Sequence, residues 1–247
     1  MVNHTRLDCV IGVTGQMRAG LSQAVHHSRH RSAFGRRLAD QPLMANVLAD
    51  LAVESEAATT TMLRLAGAYD RGEGAFARIA TAVAKYWICK RAPMVTAEAL
   101  ECLGGAGYVE ESPMPRLFRE SPLNGIWEGS GNVMCLDVLR AAAREPESVE
   151  ALLAELDLAQ GADPRLDRAV ADLHAELADL EGMEGRARRI VERAALALQG
   201  SLLVRHAPGP VADAFCASRL AGDGGLALGT LPPGVDTGAI VARAWPA

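Results

Sequence analysis

Aromatic side chains make up only 4% of this 247-residue chain, although hydrophobic residues reach 49%. A core built on pleated sheet draws on Val, Ile, Tyr and Thr, whereas this one is supplied mainly by Ala and Leu, with Arg and Glu as the dominant charges. The scarcity argues against a sheet-based fold and for straight, closely packed helices. Cysteine is also sparse: Cys9, Cys89, Cys102, Cys135 and Cys216 are odd in number, far apart and set in apolar runs. They read as buried reduced thiols rather than a disulfide framework, which suits the cytoplasm. No window approaches the roughly 18 uncharged apolar residues of a membrane span. Met1-Val-Asn-His-Thr-Arg opens the chain without an apolar stretch behind a basic start, so neither a secreted nor a membrane protein is expected. Internal repeats and low-complexity tracts are missing as well.

The net charge of −5 is unevenly spread. Residues 1–144 carry 16 Lys+Arg against 14 Asp+Glu, and residues 145–247 carry 9 against 16. An acidic second half does not describe a generic polyanion binder.

Helical periodicity is what the chain has in abundance. Leu7, Ile11, Met17, Leu21 and Val25 recur on one face, predicting a helix to about Arg29 that Asn3 or Thr5 caps. After a break at Phe34-Gly35, Asp40 offers an N-cap with Pro42 in the first turn, and Leu43, Val47, Leu48, Leu51, Met62 and Leu65 mark a second helix to about Ala68. A third spans about Ala75 to Leu103, with Pro93 inside it, and stops at Gly104-Gly105. Residues 106–128 read as irregular, and a fourth helix starts at Ser130 and runs to about Arg144. Glu145-Pro146-Glu147-Ser148 marks a boundary. Beyond it, Asp163-Pro164 opens a helix, Met183–Gln199 reads as another, and Pro210–Leu220 as a short one before a stretch rich in Gly and Pro. The expected fold is therefore all-α: a four-helix up-down bundle over residues 1–144, followed by a smaller helical extension over 145–247.

Three segments carry a resemblance. Arg31-Ser-Ala-Phe34-Gly35-Arg-Arg-Leu38-Ala-Asp-Gln41 resembles the R-x-x-F-G-x-x-[IL]…Q signature of acyl-CoA dehydrogenases. Glu101-Cys-Leu-Gly104-Gly105-Ala-Gly107-Tyr108 is similar to their Q-x-x-G-G-x-G-Y turn, and Ile126-Trp127-Glu128-Gly129-Ser130-Gly131-Asn132 to their Y-E-G-T segment. Order and separation also match. The wording A-K-x-x-I-C-K-R and I-W-E-G-S-G-N-x-M-C-L-D-V-L-R looks like the adaptive-response (AidB-type) subgroup. The resemblance implies the C-terminal bundle of that fold, FAD as cofactor, an acyl-CoA substrate and a homotetramer built as two dimers.

The residues themselves give each segment a reason. An FAD pyrophosphate needs a guanidinium fork or exposed amides, and Arg31 beside Gly35 offers the fork; the resemblance has this arginine reach the FAD of a neighbouring subunit. Gly104-Gly105 lets backbone approach a flat ring without a Cβ between. Phe34, Gln41, Glu101 and Asn132 complete the implied cofactor contacts. The family pattern has Gln where Glu101 stands, and its Gln falls one residue after Gln41, where Pro42 stands. Glu128 is the candidate general base, lying between Trp127 and Gly129 where burial against an indole would raise its pKa. The resemblance has this base remove the α-proton of the thioester as the β-hydride passes to flavin. Ser130 keeps the hydroxyl of the family's Thr. Read singly, each motif also has a plain structural explanation: solvated arginines, a helix C-cap, a first-turn carboxylate facing the helix dipole.

Other signals lead elsewhere. Gly129-Ser-Gly131-Asn-Val-Met has no strand before it, which removes a dinucleotide-fingerprint reading. His26 and His30 are spaced i, i+4 without an acidic or Cys partner nearby, so no metal is expected. Arg186, Arg188, Arg189 and Arg193 form a basic cluster that either pairs with Glu184 and Glu192 or contacts DNA. Enzymes of this resemblance have about as much sequence again ahead of Asn3, so the chain is expected to be a truncated or split form that exposes an apolar patch and self-associates. Two further readings stay open: a flavin-containing DNA-binding protein of the alkylation response, and a helical fragment without cofactor.

Overall fold

The computed structural model describes residues 1–179 and 181–245. Three helices set its length: α1 (Val2–His30), α2 (Pro42–Asp70) and α3 (Gly74–Glu101), of 29, 29 and 28 residues. At a 1.5 Å rise per residue each spans roughly 43 Å. Between α1 and α2 the chain makes a tight antiparallel pair, β1 (Ser32–Ala33) and β2 (Arg36–Arg37), followed by a 3₁₀ turn at Leu38–Asp40. The expected cap at Asp40 is displaced. Gln41 occupies the N-cap of α2 without a capping side-chain bond, because Asp40 is taken up by the 3₁₀ turn.

Helix α3 is the axis of the bundle. Every residue from Ile79 to Tyr86 is buried, so no solvent face exists over those two turns. It ends at Glu101, two residues earlier than the periodicity predicts, and Gly104 (φ +58°, ψ −141°) reverses the chain. That conformation is open only to glycine. The segment expected to be irregular holds two short helices, α4 (Gly105–Tyr108) and α5 (Met114–Glu120), and a 3₁₀ turn at Leu123–Gly125. Proline punctuates the segment, but Pro115 lies in the first turn of α5, where a missing N–H costs nothing. Helix α6 (Gly131–Arg144) is the fourth of the bundle.

The second half folds onto the first. Helices α7 (Pro146–Asp157), α8 (Pro164–Ala178), α9 (Met183–His206), α10 (Gly209–Phe215), a π-helical turn Cys216–Leu220 and α11 (Thr237–Ala244) follow in order. Helix α9 lies against α2, α3 and α6, and α11 against α2. One hydrophobic core runs from Leu7 through Ala187–Leu203 to Ala244. Asp163 caps α8 as its sequence predicts, accepting from the Arg165 N–H at 2.8 Å. Helix α7 was not expected: Glu145-Pro146 starts it rather than ending an element, with Pro146 at the first position and Ser148 Oγ donating to the Glu145 carbonyl. Helix α11 was also missed, since its eight residues carry too little periodicity. All five cysteines are buried and free. No described helix is long and apolar enough to cross a membrane.

Candidate active site

After Gly104 the chain returns along α3, and a series of contacts fixes its path. Leu100 comes so close to Gly107 that a Cβ there would stand 2.2 Å from the Leu100 carbonyl. Farther along, Thr96 Oγ1 donates to Ser121 Oγ at 3.1 Å, and Gly125 lies over the Cys89 carbonyl. The last contact is with Lys85. Its ammonium, 1% exposed, donates to the carbonyls of Trp127 (2.8 Å) and Gly129 (2.6 Å). The carbonyl between them, that of Glu128, accepts from Arg6 Nε of α1 at 3.4 Å. Burial pushes Lys85 below the ordinary lysine range, with the neighbouring Cys89, Cys9 and Glu128 opposing that push and Arg6 adding to it.

Glu128 stands at φ +55°. Among the described residues only Phe34, at φ +54°, is another non-glycine in the left-handed region. Such a conformation costs roughly 1–3 kcal/mol and persists where its surroundings impose it. Two hydrogen bonds from a charged donor, worth about 1.5–3 kcal/mol each, are enough to impose it at Glu128. The Glu128 side chain is half-buried, and among the described residues its carboxylate joins no hydrogen bond or ion pair. The Trp127 indole is 42% exposed and its Nε1–H goes to Asn124 Oδ1 at 2.9 Å. Ser130 holds the N-cap position of α6, yet its side chain makes no capping bond and is exposed. A carboxylate and a hydroxyl, both without protein partners, are thus presented two residues apart at a helix start.

Asn132 is engaged differently: its Oδ1 accepts from Arg188 Nε of α9 at 2.8 Å. Behind the Glu128 turn, Asp137 of α6 receives Arg6 Nη1 at 2.6 Å and Arg78 Nη1 at 3.1 Å. Burial alone would raise the Asp137 pKa, but the hydrogen bonds from Arg78 and Arg6 outweigh it and hold the carboxyl below its usual range.

The remaining candidates gather at the other end of α1. Arg31 is its exposed C-cap, and its carbonyl accepts from the Leu38 N–H at 2.9 Å. Phe34, 96% exposed, is the tip of the hairpin. Gln41 braces that hairpin, its Nε2 donating to the Ala33 carbonyl at 3.0 Å. A cleft of about 410 Å³ beside Arg31 is lined by His26, His27, His30 and Leu103. This brings the Gly104-Gly105 turn to the same end. A Cβ built on either glycine would meet nothing within 4 Å, so both backbones face open space. Glu101 ends α3 there, exposed. Arg6 and Arg31 are twenty-five residues apart on α1, roughly 37 Å. The candidate residues therefore fall into two groups, Glu128–Ser130–Asn132 at one end and Arg31–Phe34–Gln41–Glu101–Gly104–Gly105 at the other.

The basic cluster on α9 has a partner that its sequence did not indicate. Glu176 of α8 receives Arg186 (3.0 Å), Arg189 (2.7 Å) and Arg193 (3.0 Å), in place of the expected Glu184 and Glu192. Arg186 also pairs with Asp179.

The family model for the acyl-CoA dehydrogenase C-terminal domain matches residues 1–143. The chain belongs to the acyl-CoA dehydrogenase family. The putative acyl-CoA dehydrogenase AidB of Escherichia coli K12 is 42% identical over 228 residues, covering 91% of this chain and 42% of that protein. Acyl-CoA dehydrogenase family member 11 of Caenorhabditis elegans is 36% identical over 148 residues, 57% of this chain and 24% of that one. The crystal structure of Caenorhabditis elegans ACDH-11 in complex with C11-CoA superposes with a TM-score of 0.78 at 28% identity, over 89% of this chain and 43% of that chain. Butyryl-CoA dehydrogenase from Megasphaera elsdenii gives 0.55 at 30% identity, over 58% and 37%. The chain thus spans less than half the length of these family members.

Sequence reading missed Lys85, Arg6 and Asp137. Lys85 carried a signal: it is the one charge between Arg78 and Lys90 of α3, within a run of small and apolar residues. A lysine set so deep must satisfy its ammonium inside the fold.

Proposed function

We infer that this chain is the cofactor- and substrate-facing helical half of an FAD-dependent acyl-CoA dehydrogenase, which forms the α,β double bond of an acyl-CoA thioester. One observation carries the reading. Glu128 is held in a strained turn with an unpaired carboxylate, beside an unpaired Ser130 hydroxyl, and strain of this kind collects at reacting sites. The ACDH-11 structure, a complex with C11-CoA, supports an acyl-CoA as the substrate class.

The residues present suit a flavin dinucleotide. Arg31 offers a guanidinium at an exposed helix end, suited to a pyrophosphate, and Gly104 and Gly105 leave backbone bare to a flat ring. When bound, the flavin supplies an acceptor for the β-hydride. Glu128 removes the α-proton as general base, and Ser130 donates a hydrogen bond toward the cofactor. An extended dinucleotide is shorter than the roughly 37 Å between the two residue groups. One cofactor can meet both kinds of residue only where two copies adjoin, which supports a homo-oligomer with Arg31 of one copy serving the Glu128 end of another.

The test is anaerobic bleaching of the flavin-loaded protein by an acyl-CoA. Glu128→Gln is expected to slow bleaching at least a hundredfold while flavin stays bound. Bleaching at the unaltered rate would remove Glu128 from the reaction.

A further inference from the structure

The structure ties down every backbone carbonyl around Glu128 with a cation. Lys85 takes those of Trp127 and Gly129, and Arg6 takes that of Glu128 itself. Lys85 makes no ion pair among the described residues, so its charge is committed to the backbone of this turn. Buried lysines ordinarily end on a carboxylate. Two carbonyl acceptors in its place mark a cation used to shape a loop.

The turn has little else to hold it. Glu128 (φ +55°) and Gly129 (φ +112°) both lie at positive φ, and the Arg6 bond is the long one at 3.4 Å. Position 129 has no room for a side chain, since a Cβ there would stand 2.4 Å from Met134 Cε, and as glycine it adds no stiffness of its own to the turn. Before the turn, Trp127 is anchored through its own N–H to Leu123 and its indole to Asn124. After it, α6 begins at Gly131. Residues 128–130 are a short span between two fixed ends, and the Lys85 ammonium is the strongest contact inside it.

We propose that Lys85 is a positioning residue for Glu128: by gripping the carbonyls on either side, it imposes the left-handed turn that aims the Glu128 carboxylate. The proposal rests on Glu128 being the base, as argued above. Lys85 itself is buried, 1% exposed, and its ammonium acts through the two carbonyls it holds. Its removal lets residues 128–129 relax to negative φ, which redirects the side chain while the helices stay in place.

The experiment compares the unaltered chain with Lys85→Met and Lys85→Arg. The first readout needs no flavin: a Glu-specific endoproteinase is added under native conditions, and scission of the Glu128–Gly129 bond is followed by fragment mass. The unaltered chain is expected to resist. Lys85→Met should be cut there at least about tenfold faster, and Lys85→Arg, which keeps the charge, should regain much of the resistance. Rapid cutting of the unaltered chain at this bond would overturn the proposal whether or not the variants fold, as would equal cutting of a folded Lys85→Met. The second readout is flavin bleaching, where Lys85→Met should lose about a hundredfold in rate with the acyl-CoA half-saturation unchanged, the size of effect of a misplacement near 1 Å. Faster nicking without loss of bleaching would overturn the positioning role. Bleaching that survives Glu128→Gln would instead overturn the general-base reading.

Discussion

Asp137 of α6 accepts a 2.6 Å hydrogen bond from Arg6 of α1, a residue 131 positions earlier in the chain. Arg78 completes a two-arginine bracket on the same carboxylate, and the arrangement recurs. Glu54 lies between Arg91 and Arg219, and Glu155 between Arg64 and Arg205. In all three, burial would raise the carboxyl pKa, but the paired arginines bring it below the usual range. A carboxyl depressed by folding gives stability that is present above its unfolded pKa of about 4 and is lost as pH falls through the folded value. These three carboxyls should therefore contribute a constant stability from about pH 5 upward, and the chain should become steeply less stable below about pH 4, as measured by urea unfolding between about pH 3 and pH 7. Asp137→Asn leaves Arg6 and Arg78 buried around a neutral group and should cost about 3 kcal/mol at pH 7. A variant with unaltered stability would show the bracket to be inert.

Arg219 joins the end of the chain to the bundle. Its Nη2 meets Glu54 Oε1 at 2.8 Å and also Asp50, whose other oxygen accepts from the Gly229 N–H at 2.7 Å. Removing this guanidinium strands Asp50, which is 1% exposed. Arg219→Met should lower Tm by on the order of 10 °C, corresponding to about 3 kcal/mol. A shift under about 2 °C would contradict the link.

The thiols give a third prediction. Burial pushes Cys89, Cys102 and Cys216 up to about 12 and Cys135 to about 11, and raises Cys9 as well. Thiolate is the reactive form, so none of these should react appreciably with a disulfide reagent in the native protein at pH 8, and all five should react on unfolding. One fast thiol in the native state would contradict the burial.

Much of the fold could be read from the sequence because it rests on local rules. Asp163-Pro164 opens α8, Ser130 stands at the start of α6, and the apolar spacing of Leu7 to Val25 marks α1. The misses came where one residue has two uses. Pro146 reads equally as a boundary and as a first helical position, and Asp40 was drawn into a 3₁₀ turn that no periodicity announces. At the candidate site, the motifs pointed to Glu128, Ser130 and Arg31. What holds Glu128 in place lay hidden, because Arg6 lies 122 residues before the Glu128 carbonyl that it holds, Lys85 lies 42 before that of Trp127, and Asp137 lies 131 after Arg6. Local patterning is silent on such pairings, and only the packing of α1, α3 and α6 reveals them.

Glu176 governs the basic face of α9 by holding Arg186, Arg189 and Arg193. Glu176→Gln should release them, so that any affinity of the chain for duplex DNA rises and its dependence on salt steepens, read by titration at several ionic strengths. Unchanged binding and slope would show that this carboxylate does not restrain the cluster.

Proton abstraction by Glu128 is tested most directly by exchange rather than turnover. The flavin-loaded protein is incubated in D₂O with an acyl-CoA analogue that cannot lose its β-hydride, and deuterium at the α-carbon is measured by mass spectrometry. Steady incorporation is expected with the unaltered protein and at least a hundredfold less with Glu128→Gln. Equal incorporation by both would contradict abstraction by Glu128 and place the base elsewhere.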